Sequence, residues 1–285
     1  MPLAIHAPTA GGTRNYLLSL PTGYNSSYPC PLILAFHGKG QDGAQFERES
    51  QLSDSAFNTM GAVLAFPNGI NKQWTGDPES PPRHELDDIA FARELLSHIL
   101  EHYNIARNRV YIVGFSNGGG LTSLLPCDHV FSASIAGAAV VSGAIYKDKS
   151  LKGGEPLFDR CEPARSPFPM LEMHGSKDPV IHYDGKSTPD GETYSIEEWL
   201  LGWRKRNGCG EGTKMEVRDI HEGTVKKSVW WDNKDQEVIV HYYIQGFGHG
   251  WPSTKKQDDD HQRYGPLKWD GTRDIVSFLE SKRLP

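Results

Sequence analysis

Residues Val110–Gly120 have the sequence VYIVGFSNGGG, and this stretch decides the predicted fold. Its first half is a run of apolar residues, which is typical of a strand buried on both faces of a parallel sheet. The run ends in GFSNG (114–118), a G-x-S-x-G motif, and a helix-compatible segment, Gly119–Pro126, follows. Such a strand-to-helix turn exposes the serine hydroxyl at the carboxyl edge of the sheet, so Ser116 is the predicted nucleophile.

Similar apolar runs lie on both sides of this stretch, and amphipathic segments separate them. The predicted strands are Asn15–Pro21, Pro31–His37, Ala62–Pro67, Val110–Phe115, Ser134–Val141, Met170–His174 and Val238–Ile244. The predicted helices are Leu86–Tyr103, Ile196–Arg206 and Thr272–Leu284. Strands that alternate with helices indicate an α/β fold, with a mostly parallel sheet covered by helices on both faces. No linker divides the sequence, so residues 1–285 are predicted to form one domain.

Two segments depart from the alternation of strands and helices. Lys214–Asp232 has the pattern of a hairpin-type excursion. Gly143–Phe168 is long and rich in glycine, proline and charge, and it is predicted to be a surface loop or a partial lid.

A serine hydroxyl is a weak nucleophile at neutral pH and needs a base. In this architecture the partners follow in the order serine, acid, histidine. Asp178 lies just past the sixth predicted strand and is the predicted acid, with Asp184 and Asp190 as alternatives further along the same stretch. His249 follows the last predicted strand between two glycines and is the predicted general base. Asp178 would orient its imidazole and stabilise the protonated form.

An oxyanion formed during acyl transfer needs backbone N–H donors that are already in place. Asn117 follows the nucleophile directly, so its N–H is the first predicted donor. The second is the N–H of Lys39, which lies in the sequence HGKG (37–40) after the first buried strand.

Three aromatic residues are candidates for contact with a substrate. Trp251 lies two residues after the predicted base, Trp74 follows an apolar strand, and Phe115 precedes the nucleophile. Their rings would favour a planar aromatic acid or stack on a sugar, and the alternative is ordinary core packing.

Composition excludes several other classes of function. The net charge is −6, which argues against a protein that neutralises a row of nucleic-acid phosphates. The longest weakly polar stretch, Ile135–Ile145, is too short to span a bilayer, so no membrane association is expected. The four cysteines form no CxxC pair, and no metal site is predicted. Residues 1–6 lack the pattern of a signal peptide, which leaves a secreted and a cytoplasmic location open.

Six motifs together connect the chain with a known family. They are LAFHG (34–38), AFPNG (65–69) with Trp74 shortly after it, GFSNGGG (114–120), HGSKD (174–178), RNGC (206–209) and GHGWP (248–252). With these motifs the chain resembles the feruloyl esterases of carbohydrate esterase family 1, from about Arg14 to the C-terminus. It is similar also to acetyl xylan esterases and polyhydroxybutyrate-depolymerase-like esterases.

The resemblance implies an α/β-hydrolase fold with Ser116, Asp178 and His249 as the triad, the same residues reached above. It implies two-step ester hydrolysis without a cofactor. The implied partners are feruloylated or acetylated plant polysaccharides such as arabinoxylan, and small phenolic esters, from which ferulic or p-coumaric acid is released. An acetyl xylan esterase or short-chain carboxylesterase is the alternative, and a catalytically silent binding module is a more distant one.

The resemblance also bears on the cysteines and on location. It implies a disulfide between Cys127 and Cys161. Relatives often pair the cysteine of the NGC motif with one in the following hairpin, but residues 217–232 contain none, so Cys209 is either free or joined to Cys30. Most members of the family are secreted, which implies an extracellular protein.

Overall fold

The structure is a computed structural model that describes residues 3–7, 12–81, 85–147, 157–188, 191–210, 212–257 and 260–285. The strands are β1 (Leu3–Ala7), β2 (Gly12–Ser19), β3 (Cys30–Phe36), β4 (Val63–Pro67), β5 (Ile105–Phe115), β6 (Gly137–Val141), β7 (Met170–Gly175), β8 (Ser187–Thr188), β9 (Gly191–Glu192), β10 (Met215–Ile220), β11 (Val225–Trp231) and β12 (Glu237–Ile244). The α-helices are α1 (Gly43–Ser50), α2 (Asp88–His102), α3 (Asn117–Leu124), α4 (His129–Ser132), α5 (Ile196–Arg206), α6 (Asp260–Arg263) and α7 (Gly271–Glu280). Short 3-10 segments occur at Ile70–Lys72 and Leu125–Cys127.

Within the described ranges, ten strands form one sheet in the order β1-β2-β4-β3-β5-β6-β7-β12-β11-β10. The central strands β4, β3, β5, β6, β7 and β12 run parallel to one another. At each edge the pairing becomes antiparallel, through β2 and β1 on one side and β11 and β10 on the other. The predicted mostly parallel sheet is therefore confirmed, and it is extended by antiparallel strands at both ends.

Each strand and helix predicted from the sequence overlaps an element of the structure. The excursion at Lys214–Asp232 is the hairpin β10–β11, and it continues the main sheet. The sequence did not predict β1 or α1. Of the predicted surface loop, residues 148–156 lie outside the described residues, so a role as a lid stays a prediction.

The sheet separates two apolar layers because side chains alternate along each central strand. In β3, Leu32 and Leu34 point to one face and Ile33 and Ala35 to the other. The first face packs against α2, α3 and α5, and the second against α1 and α7. Helices on both faces account for strands that are apolar along their whole length.

The four cysteines have two different states. Cys127 and Cys161 are joined by a disulfide that ties the segment after α3 to the stretch before β7. Cys30 and Cys209 are free, which decides between the two alternatives that the sequence left open.

A buried ion pair connects strand β2 to the helix layer. The guanidinium of Arg14, on β2, lies 2.9 Å from the carboxylate of Asp88 at the start of α2, and both side chains are completely buried. The second carboxylate oxygen of Asp88 accepts a hydrogen bond of 2.7 Å from the backbone N–H of Thr75. The guanidinium also stacks over the ring of Phe91, 4.0 Å from its centroid. The pair therefore fixes the loop that contains Thr75 against the sheet.

Candidate active site

The turn between β5 and α3 holds Ser116 in a strained conformation. Its backbone has φ 53° and ψ −118°, which non-glycine residues rarely adopt. Glycines on either side allow this sharp turn. A Cβ atom at Gly114 would lie 2.2 Å from the carbonyl oxygen of Gly118, and one at Gly118 would lie 2.2 Å from the carbonyl oxygen of Phe36. Both contacts are too short for a real side chain, so the motif needs glycine at these positions.

The structure brings the three predicted catalytic side chains together near the carboxyl ends of three parallel strands in the centre of the sheet. The Oγ atom of Ser116 lies 2.9 Å from Nε2 of His249. Nδ1 of the same imidazole lies 2.8 Å from Oδ2 of Asp178. Ser116 follows β5, Asp178 follows β7, and His249 follows β12, and all three are buried. This arrangement can pass a proton from the serine hydroxyl to the imidazole while the carboxylate holds the ring.

The surroundings of Asp178 favour its ionised form. Its Oδ1 accepts hydrogen bonds from the backbone N–H groups of Val180 and Ile181, at 2.8 and 2.7 Å. Burial alone would raise the pKa of Asp178, but its contacts with His174 and His249 outweigh burial and hold that pKa well below the ordinary range. A carboxylate stays charged here at neutral pH.

The two alternative acids are not part of this arrangement. Asp184 is exposed in the turn that follows, and Asp190 lies outside the described residues. Among the described acidic residues, Asp178 makes the contact with the imidazole of His249.

Of the two predicted oxyanion donors, Lys39 lies on the loop after β3 and Asn117 is the first residue of α3. The N–H of Gly38 donates to Oε1 of Gln41 at 3.0 Å, and the N–H of Gly40 donates to the carbonyl of Lys72 at 2.8 Å. No hydrogen bond among the described residues uses the N–H of Lys39 between them, or that of Asn117 at the first turn of α3. Both donors are therefore available to a developing negative charge, and their role stays a prediction.

The structure buries Trp74 and Trp251, two of the candidates for substrate contact, which favours the alternative of core packing. Their side chains are 0% and 1% exposed. The indole N–H of Trp74 donates to the carbonyl of His37, and that of Trp251 donates to Oγ1 of Thr272, each at 2.9 Å. Both rings are satisfied inside the protein and belong to its core.

Trp74 nevertheless supports the site from within. The side chain of Asn117 accepts a hydrogen bond from the N–H of Trp74 at 2.7 Å and donates one to its carbonyl at 3.1 Å. This double contact joins the residue after the nucleophile to the loop after β4. It explains why an asparagine follows the serine, which the sequence alone did not show.

Phe115 also packs inside the protein. It is 6% exposed, and its ring centroid lies 5.2 Å from that of His249. The ring of Phe46 also stacks on it, with the two centroids 6.4 Å apart. The ring therefore packs against the imidazole of the predicted base, and little of its surface is exposed.

Further buried polar groups, which the sequence did not single out, lie behind Asp178. His174 has a ring nitrogen 3.3 Å from Oδ2 of Asp178, and its other nitrogen lies 3.0 Å from Glu172. His241 on β12 contacts the second oxygen of Glu172 at 2.7 Å. Glu172 and His174 belong to the strand before the acid, but nothing in a single sequence shows that they face His241.

The described residues contain no cluster of histidine, cysteine and acidic side chains that could hold a metal ion. No helix in the described ranges is long and apolar enough to cross a membrane.

Topology and site together define the class of protein: the chain has the α/β-hydrolase fold, with a serine turn after the central strand and helices on both faces of the sheet. Among solved structures it superposes on acetyl xylan esterase from Aspergillus awamori with a TM-score of 0.66. That match covers 98% of this chain and 99% of the other at 14% identity, which supports the fold alone.

Comparison with characterised sequences gives the particular relatives. No family model matches the chain. It is 28% identical over 229 residues to feruloyl esterase B of Piromyces equi, which covers 75% of this chain and 40% of the relative. It is 29% identical over 266 residues to the putative esterase NocK of Nocardia uniformis subsp. tsuyamanensis, which covers 85% of this chain and 72% of the relative. The chain is thus similar to carboxylic-ester hydrolases, and it spans less than half of the fungal feruloyl esterase.

Proposed function

We propose that the chain is a serine carboxylic-ester hydrolase that works through an acyl-enzyme. Ser116 Oγ attacks the ester carbonyl carbon while Nε2 of His249 takes the hydroxyl proton. The tetrahedral oxyanion accepts hydrogen bonds from the N–H groups of Lys39 and Asn117. Collapse breaks the ester C–O bond, and the imidazolium returns the proton to the departing alcohol.

The second half of the reaction repeats these steps with water. His249 removes a proton from a water molecule, which attacks the acyl carbon on Ser116. Breakdown of the second tetrahedral intermediate releases the free acid and returns the proton to the serine. Asp178 stays ionised throughout and stabilises the imidazolium in both halves.

The observation that carries this proposal is the contact of 2.9 Å between the hydroxyl of Ser116 and Nε2 of His249. The contact occurs at a serine held with φ 53° on a tight strand-to-helix turn. A strained conformation of this kind costs free energy and persists only where the surrounding structure enforces it. Both glycines of the motif leave the room that this turn needs, since a Cβ atom at either position would clash with the backbone. In a protein without catalytic activity, no function would offset the free energy that this strained backbone costs.

For the substrate, we propose a feruloyl or p-coumaroyl ester of a plant polysaccharide such as arabinoxylan. The similarity to a feruloyl esterase supports this choice. One observation favours a second candidate, an acetyl xylan esterase or short-chain esterase. The tryptophans expected to stack on an aromatic acid, Trp74 and Trp251, are buried, and a small acyl group needs no such surface.

We further propose that residues 1–285 form one catalytic domain and that the protein works outside the cytoplasm. The disulfide between Cys127 and Cys161 supports an extracellular location, because such bonds persist in oxidising compartments.

Hydrolysis of methyl ferulate, acetylated xylan and p-nitrophenyl acetate by the same preparation tests the proposed function. We expect ferulate release with kcat/KM on the order of 10⁴ M⁻¹ s⁻¹ or more, a typical value for an enzyme on its own class of substrate. Acetate release without ferulate release would replace the first candidate by the second. A folded protein that hydrolyses none of the three substrates would overturn the esterase proposal in both forms.

A further inference from the structure

Behind the predicted acid, a continuous network of polar contacts extends in the direction away from Ser116. Nε2 of His174 lies 3.3 Å from Oδ2 of Asp178, and its Nδ1 lies 3.0 Å from Oε1 of Glu172. Oε2 of Glu172 accepts a hydrogen bond of 2.7 Å from Nδ1 of His241. Nε2 of His241 lies 2.9 Å from the hydroxyl of Tyr183. The hydrolytic step above uses none of these four groups.

This network of contacts ends at the protein surface. The hydroxyl of Tyr183 lies 2.8 Å from a carboxylate oxygen of Glu197, an exposed residue in the first turn of α5. Glu172 on β7 and His241 on β12 are paired in the parallel register of the sheet, which places their side chains next to each other. The register of the sheet therefore aligns the contact between Glu172 and His241, which lies in the middle of the network that leads from α5 to Asp178.

The contacts of His174 fix where its protons must be. Nε2 lies 2.8 Å from the backbone carbonyl of Ile181, which can only accept, so this nitrogen carries a proton. Nδ1 faces the carboxylate of Glu172. A carboxylate that already accepts from His241 is best matched by a donor on its other oxygen. Both ring nitrogens of His174 then carry protons, and the ring is a cation.

From this geometry we infer that His174 is a cationic positioning residue for Asp178, held in its charged form by Glu172. The inference rests on the proposed function, because it assigns Asp178 the part of the catalytic acid. The positive ring compensates for the desolvation of the Asp178 carboxylate and fixes the oxygen that receives the imidazole of His249. A second buried acid–histidine pair, Glu172 and His174, thus lies behind the first pair, Asp178 and His249.

The electrostatics of the surrounding groups agree with this assignment. Burial opposes a charge on His174, but the contacts with Asp178 and Glu172 outweigh it and raise the pKa of His174 to about 10. Burial would also raise the pKa of Glu172, yet hydrogen bonds from His174 and His241 bring it below the usual value. The ring of Tyr183 is the other titratable group packed against His174, edge-on at 5.9 Å.

A second buried histidine provides an internal comparison. His37 accepts a hydrogen bond from the N–H of Gly69 at Nε2, at 3.0 Å, and its Nδ1 lies 2.7 Å from the carbonyl of Gly38. One nitrogen thus meets a donor and the other an acceptor, which suits a neutral ring. Burial lowers the pKa of His37 to about 4. Two histidines with similar burial are therefore expected in opposite charge states.

Nitrogen-15 NMR of the histidine rings tests the charge directly and needs no substrate. At about pH 8, where a free histidine is neutral, we expect both nitrogens of His174 to be protonated and His37 to be a neutral Nδ1–H tautomer. The variant His174→Gln lacks the ring and thereby identifies its signal in the wild-type spectrum. In the variant Glu172→Gln, the ring of His174 should titrate at lower pH than in the wild type. A neutral His174 in the wild-type spectrum at this pH would overturn the inference, whatever the enzyme hydrolyses.

Kinetics of His174→Gln on p-nitrophenyl acetate separate a positioning role from a purely structural one. The substitution removes a positive charge behind Asp178, so the acid limb of kcat/KM should move to higher pH. We expect kcat to fall about tenfold, with KM changed less than about twofold. Lower thermal stability with an unmoved acid limb would mean that His174 only supports the fold, and unchanged kinetics would equally overturn the inference.

Discussion

The substitution Ser116→Ala is expected to abolish ester hydrolysis, with kcat/KM lowered by a factor of about 10⁴ or more. The loss follows because, in the part of the chain that the structure describes, the hydroxyl of Ser116 is the nucleophile in contact with Nε2 of His249. Initial rates with p-nitrophenyl acetate and methyl ferulate measure the effect, and circular dichroism checks that the variant is folded.

Ser123→Ala is a matched control for this substitution. Ser123 lies on the same helix, α3, and is also buried, but its hydroxyl accepts a hydrogen bond from the indole of Trp199 at 3.0 Å. Its removal costs about 1–2 kcal/mol of stability through the unsatisfied indole N–H, and activity should stay within about twofold. If Ser116→Ala keeps more than about a tenth of the wild-type rate while Ser123→Ala behaves as described, the assigned nucleophile is wrong.

The substitution Asp88→Ala is expected to lower the free energy of unfolding by about 3–5 kcal/mol. It removes the carboxylate of Asp88 from the buried guanidinium of Arg14, and arginine cannot give up its proton at ordinary pH. The backbone N–H of Thr75 loses its acceptor as well. Thermal unfolding should show a midpoint lower by about 10 °C.

Arg93→Ala breaks a comparable pair at the surface and serves as the control. The guanidinium of Arg93 lies 3.5 Å from Asp128, and its side chain is 40% exposed. An exposed pair contributes about 0–1 kcal/mol, so the midpoint should hardly move. Equal effects of the two substitutions would show that burial of the Arg14–Asp88 pair does not determine its contribution.

The central part of the fold could be predicted because its strands are buried on both faces. Continuous apolar runs such as Leu32–Phe36 and Val110–Val113 stand out in any sequence. The edge strand β1 did not stand out, since only Ile5 and Ala7 are buried along it. Helix α1 is similar: it is mostly polar and contributes one large apolar side chain, Phe46, to the core.

The residues of the site were predictable to different degrees for a physical reason. Ser116, Asp178 and His249 each follow a strand, and each lies within two positions of a glycine or proline, so the local sequence indicates them. The local sequence does not indicate that Trp74 and Trp251 are buried, because an indole N–H can donate its hydrogen bond to a residue that is distant in the sequence. The carbonyl of His37, which receives the Trp74 N–H, lies 37 positions away.

Buried charged groups were the least predictable feature. Arg14 and Asp88 are separated by 74 positions, and Glu172 and His241 by 69. Charged side chains are expected at the surface unless a partner is present, and one sequence does not reveal the partner. Only the sheet register shows that Glu172 faces His241.

Covalent labelling by the phosphate triester paraoxon tests the central claim most directly, because the reagent reports the nucleophile itself. The folded protein is incubated with the reagent, weighed intact by mass spectrometry and then digested for peptide mapping. The account predicts one diethyl phosphoryl group per chain, carried on Ser116, and none on the Ser116→Ala variant. A folded wild-type protein that takes up no label, or that carries it on another residue, would contradict the assignment of Ser116 as an activated nucleophile.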